Sequence, residues 1–364
     1  MRHSIVPPYL LARIAEDGGS AHPVAARAAR RALAGSDGIR AARAAAPRYP
    51  DIGEDDSRGP ARAGALAAGP PRPRRTVFDV GGTEALPGTV VRTEGADPTG
   101  DPAADEAYDG LGATFALFAE EFGRDSIDGR GLPLDGCVHY GREYDNAFWD
   151  GARMVFGDGD GEVFRRFTVS LSVIGHELTH GVIQFSAGLE YQDQAGALNE
   201  SISDVFGAIV EQHSRGQDAA EGSWLIGEGL FADGIRGRAL RSMSAPGTAY
   251  DDPLLGKDPQ PGHMDLYIDT TDDNGGVHLN SGIPNRAFHL AATTIGGTTW
   301  AGAGAVWYDA LTGGTLSARA TFAEFAAVTW RVARERYGRD ARESEAVADA
   351  WRTVGIEPEH RPSR

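Results

Sequence analysis

HELTH, residues 176–180, sets two histidines four residues apart around a glutamate. On a helix that spacing puts both imidazoles on one face. There they can hold a single Zn²⁺, with Glu177 in reach of a water on the metal. The combination serves metal-dependent peptide hydrolysis. The competing reading is a surface amphipathic helix with two histidines facing water. A third protein ligand elsewhere in the chain decides between them, because a catalytic zinc takes three and keeps one position open.

NESISD, residues 199–204, supplies the candidate. Glu200 and Asp204 share a face of the next predicted helix, so Glu200 can ligate. Asp204, one turn later, can accept the other ring N–H of a ligand histidine, which fixes its tautomer. DNGGVHLNSGIPN, residues 273–285, adds a turn signal at NGG with His278 just beyond it and Asp273 five residues before. A charged imidazole held by a carboxylate suits an oxyanion that forms during peptide hydrolysis.

Around these motifs the chain divides by composition. Residues 1–47 carry helical signals, with Pro23 at a first helical position and Gly35 as a stop. Residues 48–75, rich in Pro, Gly, Ala and charge, read as an exposed linker that is easily cut. TVFDV, TVVRT and CVHYG read as strands. DEAYDGLGATFALFAEEFGR reads as a helix ending at Gly123. Residues 165–187 read as one long helix carrying HELTH, 197–215 as another, and 283–358 as mostly helical. The expected fold is α+β: a strand-rich first lobe, a mainly helical second lobe and the HELTH helix at their join.

The 364 residues exceed one average domain and can bury a sizeable core without cross-links. Cys137 is the only cysteine, so an intramolecular disulfide is excluded. The net charge is −17; the first 75 residues hold 13 Arg against 7 acids, which leaves −23 for the rest. Such an acidic body argues against a nucleic-acid partner. No run of 18 apolar residues is present, and the start lacks the apolar stretch of a signal peptide. The expectation is a chain off the membrane, either cytoplasmic or exported by a non-standard route, and monomeric.

HELTH, NESISD and DNGGVHLNSG, in this order and spacing, resemble the thermolysin family of neutral zinc metalloproteases. YDNAFWDGARMVFGDGDG (144–161), YQDQAGALNES (191–201) and LRSMSAP (240–246) extend the resemblance over about residues 76–358. SIVPPYLLARIA is similar to the brief propeptide of the protealysin-like subgroup. The resemblance implies a zymogen with residues 1–47 as propeptide, 48–75 as a linker holding the maturation cut, and catalytic lobes over 76–190 and 191–364. It implies that Pro7, Pro8 and Tyr9 lie near the cleft. It makes His176, His180 and Glu200 zinc ligands, with Asp204 behind His176. Glu177 becomes the general base, Tyr191 and His278 oxyanion stabilisers, and Asp273 the group that orients His278. Asn146 and Ala147 match the edge that binds substrate backbone, and Arg241 an arginine that holds a substrate carbonyl. Phe164, Val173, Ile226, Leu230 and Leu240 match the walls of an apolar pocket for the residue after the scissile bond.

The resemblance is imperfect at a calcium position. Glu211 and Glu228 match two acids of the family's calcium cluster, but Ser172, Ser223 and Leu225 stand where three others belong. Ca²⁺ takes about six to eight oxygens, several from carboxylates, so the expectation is a single weak calcium site rather than a double one. GDGDGE, 157–162, reads as a tight turn, and Cys137 and His139 as a buried thiol and a packed histidine. A thermolysin-like fold that binds partners without cutting them is the rival reading. It requires a missing ligand, base or oxyanion group, and none is missing.

Overall fold

The computed structural model describes residues 4–19, 21–34 and 71–359. Gly35 and most of the expected linker lie outside the described residues. Two short helices come first, α1 (Pro8–Asp17) and α2 (Pro23–Ala34). Each opens on a proline, whose missing N–H is one that a first helical turn leaves unpaired anyway. α1 buries Leu10, Leu11 and Ile14 on one face, and α2 buries a stripe of five alanines.

The first lobe is built from β1 (Arg75–Asp79), β2 (Thr89–Thr93), α3 (Pro102–Phe122), β3 (Leu134–Val138), β4 (Ala147–Trp149) and β5 (Met154–Phe156). The strands make one sheet in the order β2-β1-β3-β5-β4. Its centre is parallel, and both outer pairs are antiparallel. β4 is therefore an edge. Ser4 pairs antiparallel with Phe148 on its open side.

The expected strand CVHYG starts earlier and stops at Val138, because His139 turns the chain with φ 58°. His139 is not the packed histidine expected. Its ring lies between Asp101 (2.8 Å) and Asp158 (2.9 Å), and against the pull of burial these carboxylates raise its pKa to about 9. Cys137 is buried, and burial pushes its thiol up to about 12.

The second lobe follows with α4 (Leu171–Gln184), α5 (Asp193–Arg215), the paired two-residue strands β6 (Leu225–Ile226) and β7 (Arg241–Ser242), then α6 (Asp273–Asn280), α7 (Gly282–Ile295), α8 (Ala305–Thr312), α9 (Phe322–Tyr337) and α10 (Arg342–Thr353). α4 is shorter than the single helix expected over 165–187. Phe164 bridges Phe231, Arg166 stays extended and one tight turn over Phe167–Val169 intervenes before α4 begins. α5 begins four residues earlier than expected.

α4 packs on β4 and α3 on one side and on α5 on the other. It is buried all round from Ser172 to Ile183, as a helix between two lobes must be. Its crossing with α5 is unusually close. A Cβ on Gly175 of α4 would meet the Gly207 Cα of α5 at 3.1 Å. A Cβ on Gly207 would meet the Ser172 carbonyl oxygen at 2.5 Å and the His176 nitrogen at 3.1 Å. Backbone thus touches backbone one turn from the HELTH residues.

Gly207→Ala is expected to force the two helices apart. Overpacking of this kind costs about 1–3 kcal/mol, more than the roughly 1 kcal/mol that alanine gains in helix propensity. A denaturant melt and a zinc titration of the metal-stripped protein check it. Unchanged stability with unchanged zinc affinity contradicts the crossing as the element that spaces the site.

Candidate active site

The crossing of α4 and α5 brings His176, His180 and Glu200 together. The two histidine Nε2 atoms lie 3.0 Å apart with their rings edge to face. Glu200 Oε2 is 3.6 Å from His176 Nε2, and Oε1 is 3.4 Å from His180 Nε2. Ligand atoms of all three fall within 4.8 Å of one another, and all three residues are buried. Glu200 Oε2 is enclosed without a hydrogen-bond donor. A buried carboxylate oxygen facing two ring nitrogens is costly unless a cation sits between them. Two imidazoles and one carboxylate are the donor set of a catalytic zinc, so the residues fit that ion.

A second layer fixes these ligands. His176 Nδ1 lies 2.7 Å from Asp204 Oδ1, the partner expected. Asp204 also receives a two-pronged contact from Arg241, whose Nε and Nη2 donate at 2.8 and 2.7 Å, and a bond from Asn285 Nδ2 at 2.8 Å. Burial opposes its charge, yet Arg241 and His176 hold its carboxyl below the usual carboxylate range. His180 Nδ1 lies 2.8 Å from Asn199 Oδ1 and 3.0 Å from Ser203 Oγ. The sequence reading did not single out Asn285, Asn199 or Ser203. The last two were legible as polar residues four apart, beside Glu200 on the same helix.

Glu177 points from α4 toward the sheet edge, where the Trp149 backbone N–H donates to its Oε2 at 3.0 Å. On the opposite side, Tyr191 donates its hydroxyl to Glu200 Oε1 and lies 3.2 Å from His278 Nε2. Burial, then Glu200 and Asp273, keep the Tyr191 phenol protonated well beyond its ordinary range. His278 Nδ1 donates to Asp273 Oδ1 at 2.6 Å, and its backbone N–H donates to Oδ2 at 2.9 Å. Against burial, Asp273 and Glu200 raise the imidazole pKa to about 9. The turn that allows this geometry runs through four successive positive-φ residues, Asp273 to Gly276. A side chain at Gly275 would strike Asp193 Oδ1 at 2.1 Å.

A segment of the chain itself lies across this site. The Ile5 N–H donates to the Ala147 carbonyl at 3.3 Å. The Val6 N–H donates to Asn146 Oδ1 at 3.0 Å, and Asn146 Nδ2 returns a bond to the Val6 carbonyl at 3.3 Å. Arg241 Nη1 donates to the Ile5 carbonyl at 3.0 Å, and His278 Nε2 lies 3.1 Å from the Ser4 carbonyl. Ser4, Ile5 and Val6 make the hydrogen bonds to the cleft, and of the residues expected near it Tyr9 lies within electrostatic reach of Arg241 and Asp273. Pro7 is buried behind them, Pro8 is exposed at the start of α1, and Tyr9 is half-buried beside Tyr250. The prolines turn the chain out of the cleft into a helix, so the cleft holds the residues before them.

Ile5 and Val6 are fully buried in one apolar cluster with Phe164, Val173, Ile226, Leu230 and Leu240. Ile226 pairs with Arg241 across β6–β7, which sets the pocket wall beside the arginine. Glu211 and Glu228 gather no third acid among the described residues. Arg215 reaches Glu211 at 2.5 Å instead.

A model of the thermolysin metallopeptidase catalytic domain matches residues 76–184, and one of the thermolysin metallopeptidase alpha-helical domain matches residues 187–356. This chain belongs to the thermolysin family. It is 55% identical over 283 residues to the extracellular metalloprotease of Pectobacterium carotovorum subsp. carotovorum, covering 78% of this chain and 81% of that one. It is 39% identical over 264 residues to thermolysin of Alicyclobacillus acidocaldarius subsp. acidocaldarius, covering 70% of this chain and 46% of that one. The solved precursor of protealysin from Serratia proteamaculans superposes with a TM-score of 0.85 at 49% identity, covering 97% of this chain and 99% of that one. The chain is a zinc metalloendopeptidase of the thermolysin family, folded as a zymogen. Nothing favours the proteolytically inactive alternative. No described helix is long and apolar enough to cross a membrane.

Asp204→Asn is expected to weaken zinc binding by roughly 10–100-fold, because the residue behind His176 orients the ligand and raises its basicity. Titration with a competing chelator measures it. Affinity equal to that of the unsubstituted protein contradicts the role.

Proposed function

We propose that this thermolysin-family site cuts peptide bonds on the amino side of large apolar residues, with Glu177 as general base. Zn²⁺ held by His176, His180 and Glu200 would supply Lewis acidity and bring a water's pKa down to about 7. Glu177 accepts a proton from the attacking water and returns it to the leaving amine. Tyr191 and His278 donate to the oxygen that gains charge, and Asp273 keeps His278 oriented and protonated. Asp204 holds His176. Asn146 and Ala147 take the substrate backbone as an added strand, and Arg241 takes a carbonyl beyond the scissile bond. Phe164, Val173, Ile226, Leu230 and Leu240 receive the apolar side chain that follows the cut.

The observation that carries this reading is the seating of Ser4–Val6. This segment runs antiparallel to β4 and engages Asn146, Ala147, Arg241 and His278 in the way an extended peptide substrate would. An apolar residue, Ile5, follows the carbonyl nearest His278.

We further assign residues 1–47 to a propeptide acting in cis, 48–75 to a linker that is cut, and 76–190 and 191–364 to the two catalytic lobes of a monomer. Its substrates are peptides or proteins, and it acts outside the cell, as the relative named an extracellular metalloprotease suggests. For calcium at Glu211 and Glu228 the support is those two carboxylates alone, one of them engaged by Arg215. The cut falls before Arg74. The Arg74 carbonyl accepts the Leu134 N–H at 2.8 Å, and the Arg75 guanidinium is tied to Glu94 at 2.6 Å and stacked 3.7 Å from the Tyr108 ring. Amino-terminal sequencing of the matured protein is expected to start at or before Arg74. A start beyond Arg74 contradicts the boundary.

Glu177→Gln is expected to leave zinc bound, abolish peptidase activity and leave the precursor uncut. Retained turnover overturns the base assignment. A variant already lacking the first 70 or so residues when it is isolated shows that another protease performs maturation.

A further inference from the structure

Outside the metal centre, one buried acid is unaccounted for. Asp145 directly precedes Asn146. It is 0% exposed, no side-chain donor reaches its carboxylate, and the donor facing it is the Asp160 backbone N–H. Opposite it stands Asp160 in the GDGDGE turn. Asp160 Oδ1 accepts the backbone N–H groups of Glu162 (2.5 Å) and Val163 (2.6 Å), while its Oδ2 is enclosed without a donor. The Asp160 carboxyl stands against that of Asp145. Among the described residues, no Arg, Lys or His forms an ion pair with either. Two ionised carboxylates in such a place would repel strongly, and few donors are there to replace the hydration that Asp145 loses.

The backbone on either side of Asp145 is stitched to the same turn. The Gly159 N–H donates to the Tyr144 carbonyl at 3.2 Å, and the Gly157 N–H donates to the Asn146 carbonyl at 3.0 Å. A Cβ at Gly157 would meet the Tyr144 carbonyl oxygen at 2.0 Å, so the two segments are in close contact. The Asn146 amide therefore reaches the cleft strand from a position set by the contact between residues 144–146 and 157–160.

We propose that Asp145 is a positioning residue for substrate: one proton shared with Asp160 bridges the two segments and fixes Asn146 where it grips the backbone of a bound peptide. The role rests on the assignment of Asn146 to substrate binding made above.

The surroundings favour the shared proton. Burial, then the facing Asp160, raises the Asp145 carboxyl well above the ordinary carboxylate range. The charged groups nearby are mostly acids. Glu143, on the same segment, is tied at 3.1 Å to Arg27 of α2; Asp158 is tied to His139; Glu162 accepts the Ala25 N–H at 3.0 Å. With the proton in place, stability and substrate grip are complete. As pH rises from the ordinary carboxylate range through the raised value, the pair becomes doubly charged, the segments part and Asn146 shifts.

Infrared difference spectra between the full chain and its Asp145→Asn variant test the proton. A protonated carboxylic-acid carbonyl band is expected at neutral pH, absent from the variant. Its absence from the unsubstituted chain overturns the shared proton. So does a rise in Tm on adding Ca²⁺ that Asp145→Asn abolishes, because a cation then bridges the pair. Steady-state kinetics of the matured enzyme on an apolar peptide test the positioning. KM is expected to climb roughly tenfold as the pair ionises, while kcat follows the same pH curve in both proteins. Asp145→Asn, neutral and of the same shape, keeps KM low and flat, and Asp145→Ala raises it at every pH. A KM in Asp145→Asn that tracks the unsubstituted enzyme's pH curve overturns the proposal. A carboxylic-acid band with a flat KM in the unsubstituted enzyme overturns the positioning role and leaves the zinc peptidase reading standing.

Discussion

Two hydrogen atoms, the side chains of Gly175 and Gly207, set the distance on which the active site depends. Three metal ligands come from two helices, and each ligand is rigid only if its helix is. With the backbones in contact, Glu200 on α5 reaches the histidines of α4 while remaining fully buried. The same approach lets Asp204 span from His176 to Arg241, so one carboxylate ties a ligand to the substrate-binding side of the cleft. A buried charge of that kind costs heavily if left alone. Here His176, Arg241 and Asn285 use both of its oxygens, which makes it a fixed post.

The other half of the site hangs on a sheet edge. β4 ends the five-stranded order, and an edge strand offers unpaired backbone groups to any extended chain. Its Trp149 N–H is spent on Glu177, so the proposed base and the proposed peptide-binding edge are held to one another. The protein covers this edge with its own Ser4–Val6. Two prolines then turn the chain into α1, whose buried leucines anchor the segment. On the proposed reading, inhibition and substrate recognition use the same hydrogen bonds, and the precursor is latent because its first residues satisfy the groups that a substrate needs.

Much of this was legible before any coordinates. HELTH and NESISD each place two polar residues at helical spacing, and that periodicity survives whatever the helix packs against. The Asp273–His278 pair was likewise accessible from the turn at NGG, while the pocket walls were assigned through the family resemblance. What stayed hidden was set by tertiary contact. The early end of the strand at Val138 depends on His139 finding two carboxylates from other elements, Asp101 and Asp158. The late start of α4 depends on Phe164 pairing with Phe231. The resemblance placed Pro7, Pro8 and Tyr9 near the cleft, but a proline lacks the N–H that an added strand must donate, so Ile5 and Val6 make the strand contact. Asn285 and the Asp145–Asp160 pair carry no signal in one dimension, because each is defined by a partner distant in sequence or by the absence of one.

The central claim is that the chain assembles a complete zinc centre and then covers it with its own first residues. Zinc content and peptidase activity, measured on one preparation before and after removal of the amino-terminal region, test it directly. The account predicts one zinc per chain in both states, with activity that o-phenanthroline abolishes appearing only after removal. Full activity in the uncut chain, or zinc bound only after the cut, would contradict it.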